Sequence, residues 1–340
     1  ATTPTAESSS TAASASAATA SAAPAATSGG GTALSLQAAY EKTIANVLPS
    51  VVEIETKVGL GSGIVFDNQG DIVTNDHVVG SATTFSVRLA NNASPVKGTL
   101  VGTFPEGDLA VIKVTGVKNL HPATFGKSSQ AKVGQIVLAM GNPLGLASSV
   151  SDGIISAVGR TLTEPQSPDS PGATLPDSIQ TSAAINPGNS GGALVDLDGH
   201  VLGIPTLAAT DQQQGGAAPG IGFAIPSDTV TKIAPQLIKD GKVTSSGRAA
   251  LGVRVSTLSD QSGQPAGVGV VQATAGGAAA KAGIQPGDVI VGVDGTKVAS
   301  AQELSTLLAN LDVGKKVVVN IERNGKAQQV SVTLGQLGVG

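Results

Sequence analysis

The chain has 340 residues, enough for about two domains with connecting segments. Hydrophobic residues make up 40% and aromatics only 2%, so its cores must be built from Val, Ile, Leu and Ala, and 45 glycines point to turn-rich β structure rather than a helical bundle. A formal net charge of −4 leaves no basic footprint for nucleic acid, no apolar run is long enough to span a membrane, and the lack of cysteine excludes disulfides, thiolate metal sites and a Cys nucleophile.

Residues 1–34 are almost wholly Ala, Ser, Thr, Gly and Pro, with Glu7 the only charge, and cannot bury enough apolar area to offset their ordering entropy. They read as a low-complexity disordered tether. A start at Ala1 rather than Met is consistent with processing and leaves room for a signal peptide or a membrane anchor upstream of residue 1.

From residue 35 the pattern changes. Leu36, Tyr40, Ile44 and Val47 recur at helical spacing up to Pro49. Short β-like runs follow, "SVVEIETKV", "GSGIVFD", "DIVTNDHVV", "LAVIKV" and "QIVLAM", separated by Gly, Asn, Asp and Pro. "ALVDLDGHVLGI" predicts a hairpin turning at Asp198-Gly199. Regular short strands with turn signals indicate barrels or sandwiches rather than a parallel sheet. The block, residues 35–238, closes with a helix after Ser227 that turns Val230, Ile233 and Leu237 to one side and that Pro235 should bend.

Residues 239–248, "KDGKVTSSGR", read as a linker, and residues 249–340 have the size of a second, smaller domain. That block holds the strand candidates "LGVRVS", "GVGVVQA", "DVIVGV" and "KVVVNIER". Its one clear helix follows Ser300, where Ser300 and Glu303 form a capping box and Leu304, Leu307, Leu308 and Leu311 an apolar stripe.

The stretch "INPGNSGGAL" places Ser190 among residues that loosen the backbone. Acyl transfer to a serine needs a base, an anion to orient that base and donors for the developing oxyanion. Of the three histidines, His77 ends an apolar strand where a loop can present it, whereas His121 and His200 read as ordinary surface or core imidazoles. Asp108 heads the apolar run "DLAVIKV", which suits a partly buried orienting carboxylate or a plain strand-start cap. The chain order His77, Asp108, Ser190 is that of the two-barrel serine proteases. Gly188 permits the bend that would turn the amides of Gly188 and Ser190 toward an oxyanion, and Gly191 and Gly192 leave room for close approach.

"GSGIVFDNQGDIVTNDHVV", "DLAVIKV", "AAINPGNSGGALVDLDGHVLGI" and "GIGFAIP" together resemble the HtrA/Deg family of serine proteases, and "LGVRV" with "AAKAGIQPGDVIVGVDG" resembles its PDZ domain. The resemblance covers about residues 38–335. It implies a mostly β chain, a trypsin-like double β-barrel followed by a PDZ domain. The implied activity is ATP-independent endopeptidase action on unfolded polypeptides, in protein quality control outside the cytoplasm, with no metal or organic cofactor. Homotrimeric assembly is a further implication, as is a preference for small aliphatic residues before the scissile bond, in a pocket shaped by Ile185, Ile221, Gly222, Phe223 and Ala224. In the PDZ domain, Ala250, Leu251, Gly252 and Val253 match the loop that takes the carboxylate of exposed C-terminal peptides, and the 300–311 helix would form the opposite wall of the groove. A non-catalytic chaperone or peptide-binding scaffold with the same fold is the competing reading. Two positions depart from many relatives: Ser182 stands where they carry Asp, and Asp76 where they carry Asn. A carboxylate at residue 76 pointing at His77 would raise the imidazole pKa and cost activity at mildly acidic pH.

Overall fold

The computed structural model describes residues 29–340 except 58, 91, 93, 143–148, 164–172, 187, 212–215 and 339–340, and for 29–33, 163 and 207–219 it describes the backbone alone. The chain divides into Ala1–Ala39 and Tyr40–Gly340. Most of the expected tether, residues 1–28, lies outside the described residues. Its last part does not: helix α1 spans Gly29–Val47, starting earlier than residue 35. Once a helix is nucleated, each further turn costs little, so a weak Gly- and Ala-rich stretch can extend a stronger one.

The first barrel is formed by β1 (Val51–Glu55), β2 (Leu60–Val65), β3 (Asp71–Thr74), β4 (Thr84–Arg88), β5 (Val96–Phe104) and β6 (Leu109–Val114), closed in the order β1-β2-β3-β6-β5-β4. Between β3 and β4 lies a single helical turn, α2 (Asp76–Val79). The second sheet contains β7 (Thr124–Phe125), β8 (Ile136–Gly141), β9 (Ser149–Thr163), β10 (Thr174–Thr181), β11 (Ala193–Asp196), β12 (His200–Asp211) and β13 (Gly216–Pro226). Its order is β11-β8-β9-β10-β13-β12-β7, and a further β11–β12 pairing joins the ends into a ring with β7 attached. The expected double barrel is therefore present.

Strand alternation builds two kinds of core. Ala110, Ile112 and Val114 of β6 face the interior of the first barrel with Val52, Ile54, Ile72 and Val87. The alternate residues Leu109 and Val111 face a separate cluster that also takes Leu138 and Met140 from β8 and Val195 from β11. Helix α3 (Ser227–Asp240) adds Val230, Ile233 and Leu237 to that shared layer, as its spacing predicts. Pro235 lies inside α3, which continues to Asp240. The shared layer fixes one barrel against the other, and with them the residues of the crevice between.

The C-terminal block has its own core. It comprises β14 (Ala249–Ala250), β15 (Val253–Ser259), β16 (Pro265–Ala273), α4 (Ala278–Ala282), β17 (Val289–Val293), β18 (Thr296–Lys297), α5 (Ala301–Ala309), β19 (Lys316–Arg323), β20 (Lys326–Thr333) and β21 (Gly335–Gln336). Ser300 caps α5 by accepting from the Glu303 amide, while Glu303 Oε2 reaches back to the Ala299 amide at 2.7 Å. Leu304 and Leu308 are buried, and Leu307 and Leu311 are partly buried against the same core.

The polar segment between the blocks is anchored rather than free. Val243 is buried in the shared layer, and Gln236 Oε1 accepts from the amides of Thr244 and Ser245. Arg248 donates from Nη1 to the Glu106 carbonyl at 2.7 Å and from Nη2 to the Thr174 carbonyl, with its guanidinium 6.0 Å from the centre of the Phe104 ring. Among the described residues no helix is long and apolar enough to cross a membrane.

Candidate active site

Asp108 lies between a 3-10 turn at Pro105–Gly107 and the start of β6 at Leu109. Its φ of +49° is left-handed, a conformation Asp tolerates better than most residues. The Asn75 side chain donates to the Asp108 carbonyl at 3.0 Å and fixes that bend from the neighbouring strand end. The carboxylate is then directed at α2, where His77 sits one residue past Asp76. The amide of His77 donates to Asp108 Oδ1 at 3.0 Å, and His77 Nδ1 lies 3.0 Å from both carboxylate oxygens. Asp108 is only 2% exposed, whereas the His77 ring is partly open to solvent. A buried carboxylate against Nδ1 favours the tautomer that leaves Nε2 as the accepting nitrogen.

Ser190 lies in the turn between β10 and β11, brought in by the second barrel. Its Oγ donates to the Thr206 carbonyl at 3.2 Å. The Thr206 hydroxyl in turn donates to Asp108 Oδ2. Asp108 and Ser190 thus both bond to Thr206, a residue the sequence reading did not single out, and His77 joins this chain through Asp108. Its signal was available only as a Thr two residues past the apolar run "VLGI", which no spacing rule marks as special.

Gly188 has a φ of +102° and Gly191 one of +82°, both reserved in practice for glycine. A Cβ on Gly191 would run into the Ser62 carbonyl and the Thr74 hydroxyl, so the second barrel reaches the first only because residue 191 has no side chain. The peptide before Gly188 starts at Pro187, outside the described residues.

The expected pocket residues are drawn together along β13 and the loop after β10. Thr181 pairs with Gly222, Gln180 with Phe223 and Ile179 with Ala224. Ile185 packs into the same buried cluster as Ala224, and a Cβ on Gly222 would strike the Ile185 side chain. Ile221 is 37% exposed at the mouth of this strand. Ser182 is used structurally: its Oγ accepts from the Ile154 amide at 3.0 Å and its amide donates to the Ile154 carbonyl. In the C-terminal block Gly252 turns with φ +72°, the Leu251 carbonyl accepts from Ala279 and the Gly252 carbonyl from Thr274.

Burial pushes the Asp76 carboxyl up to about 6; the nearby Asp108 and Glu106 charges add to this, and His77 opposes it. Of the other histidines, His121 is exposed and His200 Nδ1 lies 3.5 Å from Asp196 Oδ2. Among the described residues, the one group able to gather around a cation is Asp196, Asp198 and His200, on the hairpin turn and outside the triad.

Comparison with known proteins places the chain in a family. A trypsin-like peptidase domain model matches residues 61–204 and a PDZ domain model residues 249–334. The chain is 41% identical over 284 residues to a probable periplasmic serine endoprotease DegP-like of Pseudomonas putida (strain W619), covering 82% of this chain and 56% of that protein. It thus spans about half the length of that relative. It is 40% identical over 290 residues to the serine protease Do-like HtrA of Lactobacillus helveticus, covering 81% of this chain and 68% of the relative. A solved structure of the HtrA-type protease AlgW with a decapeptide superposes with a TM-score of 0.59 at 32% identity, covering 87% of this chain and 98% of that one. With its paired barrels and C-terminal domain, and with 40% identity to a relative of which it covers 68%, the chain belongs to the HtrA family of serine proteases.

Proposed function

We propose that this chain is an endopeptidase that works through an acyl-enzyme on Ser190. His77 takes the hydroxyl proton as the carbonyl is attacked and returns it to the leaving amine. Asp108 holds the imidazole in the competent tautomer and stabilises the imidazolium. The amides of Gly188 and Ser190 receive the oxyanion, a contribution of about 3–4 kcal/mol of barrier per donor. The observation that carries this reading is the buried Asp108 carboxylate held against His77 Nδ1.

The substrates are unfolded polypeptides met outside the cytoplasm, cut after small aliphatic residues. The close packing of Gly222 on Ile185 supports a shallow pocket with Ile221, Phe223 and Ala224 around it. The C-terminal domain binds peptide ends as an added strand, with residues 250–253 around the carboxylate and α5 as the facing wall. This tethers substrate near the crevice and raises its local concentration. Assembly is as a homotrimer, which light scattering of the purified chain checks.

The test is digestion of one protein substrate in its folded and denatured forms. The denatured form should be cut after small aliphatic residues and the folded form spared. Ser190→Ala and His77→Ala should each lose at least about 1,000-fold in rate. Undiminished cutting by either variant would refute the assignment. Removal of residues 245–340 should change turnover of a peptide carrying a free apolar C-terminus, and an unchanged rate would remove the tethering role.

A further inference from the structure

We infer that Ser62, on β2 of the first barrel, is the positioning residue that aims the Ser190 amide at the developing oxyanion. The inference rests on the protease reading above and adds a residue to it. The Ser190 amide belongs to the 189–190 peptide, whose own carbonyl, that of Asn189, accepts from the Gly192 amide at 2.9 Å, and its direction is fixed further by how the two flanking peptides are held. The 188–189 peptide is held at both ends: the Gly188 carbonyl accepts from Ser62 Oγ at 2.6 Å, and the Asn189 amide donates to the Asn186 carbonyl at 3.0 Å. The 190–191 peptide is held likewise: the Ser190 carbonyl accepts from the Ser62 amide at 2.9 Å, and the Gly191 amide donates to the Pro205 carbonyl at 3.1 Å. Ser62 supplies two of these five restraints, and it is the residue that does so from the opposite barrel.

Ser62 is itself over-determined. It is fully buried, its Oγ accepts from the Asn142 amide at 2.8 Å, and its carbonyl accepts from the Thr74 hydroxyl at 2.6 Å. One hydroxyl thus donates to Gly188 and accepts from Asn142, using both its roles. A Cβ on Gly141 would lie 2.9 Å from the Gly188 carbonyl oxygen, so the end of β8 closes over the same bond. A buried, dry hydroxyl with both partners aligned restricts peptide rotation more than an exposed one can. The pleated register of β2, which pairs Ser62 with Glu53, sets the side chain's direction.

The experiment compares wild type, Ser62→Ala, Ser62→Thr and Ser62→Cys as full chains. The probes are a peptide aldehyde ending in valine, which forms an oxyanion on Ser190, and the matching peptide alcohol, which does not. In Ser62→Ala the aldehyde inhibition constant should rise about 10-fold or more and kcat fall by a similar factor, a loss below that of a deleted donor. KM and the alcohol inhibition constant should stay within about 2-fold, and Ser62→Thr, which keeps the hydroxyl, should recover most of the loss. Should Ser62→Ala not fold, the weak thiol donor of Ser62→Cys must still weaken the aldehyde selectively relative to Ser62→Thr. Equal weakening of aldehyde and alcohol, no change in either, or Ala and Thr behaving alike overturns the role of Ser62 alone. A wild type that neither the aldehyde nor a fluorophosphonate engages overturns the protease reading and this inference together.

Discussion

The hydroxyl of Thr206 donates to the carboxylate of Asp108, across the boundary between the second barrel and the first. The same residue accepts from Ser190 through its carbonyl. Ser190 and Asp108, the proposed nucleophile and orienting anion, are therefore referenced to one position on β12. Thr206→Val keeps the shape and removes the hydroxyl. A buried hydrogen bond to a charged group is worth about 1.5–3 kcal/mol, so kcat/KM should fall about 10- to 100-fold. Thr206→Ser should restore it. Steady-state kinetics decide, and a Val variant as active as wild type removes Thr206 from the machinery.

Asp76 gives the pH dependence a specific form. Its carboxyl is raised to about 6 by burial and by the Asp108 charge. Between the ordinary carboxylate value and about 6 the native state binds more protons than the unfolded chain, so stability falls as pH rises through that window. The cost remains at neutral pH. Asp76→Asn should therefore have a higher Tm than wild type at about pH 7.5, the gap closing below about pH 4. Ionised Asp76 also favours the imidazolium form of His77, so the Asn variant should move the acid limb of kcat/KM to lower pH. Superimposable melting curves and pH profiles would contradict both statements.

Gly191 is a point where the barrels meet with no room to spare. With φ of +82° and no room for a Cβ between it and Ser62, Gly191→Ala must displace β2 or the nucleophile turn. The expected cost is about 1–3 kcal/mol of stability with a far larger proportional loss of activity. Calorimetry alongside kinetics separates the two. Full activity in the Ala variant would show that the turn has slack.

Arg248 joins the C-terminal block to the catalytic barrels. Desolvation lowers its guanidinium pKa to about 10, opposed by Glu106. Arg248→Met leaves the Glu106 and Thr174 carbonyls without their donor. A drop of about 2 kcal/mol in stability is expected, read by denaturant titration. Glu106 lies in the run into Asp108, so activity should fall with it. A variant as stable as wild type would show the contact to be dispensable.

Much of this was legible in the chain. The period-2 runs locate the barrel strands, since each buries alternate residues in different cores, and Ile112 against Val111 shows the switch. His77, Asp108 and Ser190 stand out because few residue types can do their chemistry and their order is restrictive. Thr206 and Ser62 did not stand out, because a hydroxyl acting through geometry has no compositional mark. The start of α1 was missed for a similar reason: Gly29 to Gly31 carry no helix signal of their own. The segment up to Arg248 reads as linker from its polarity, yet the Arg248 side chain satisfies the Glu106 and Thr174 carbonyls of the barrels.

The central claim is that Ser190 becomes an activated nucleophile beside His77. Mass spectrometry of the full chain after treatment with a fluorophosphonate tests it most directly. One adduct should form, map to the peptide containing Ser190, and vanish in both Ser190→Ala and His77→Ala. No adduct, or an adduct that persists in the His77 variant at the wild-type rate, would contradict the account.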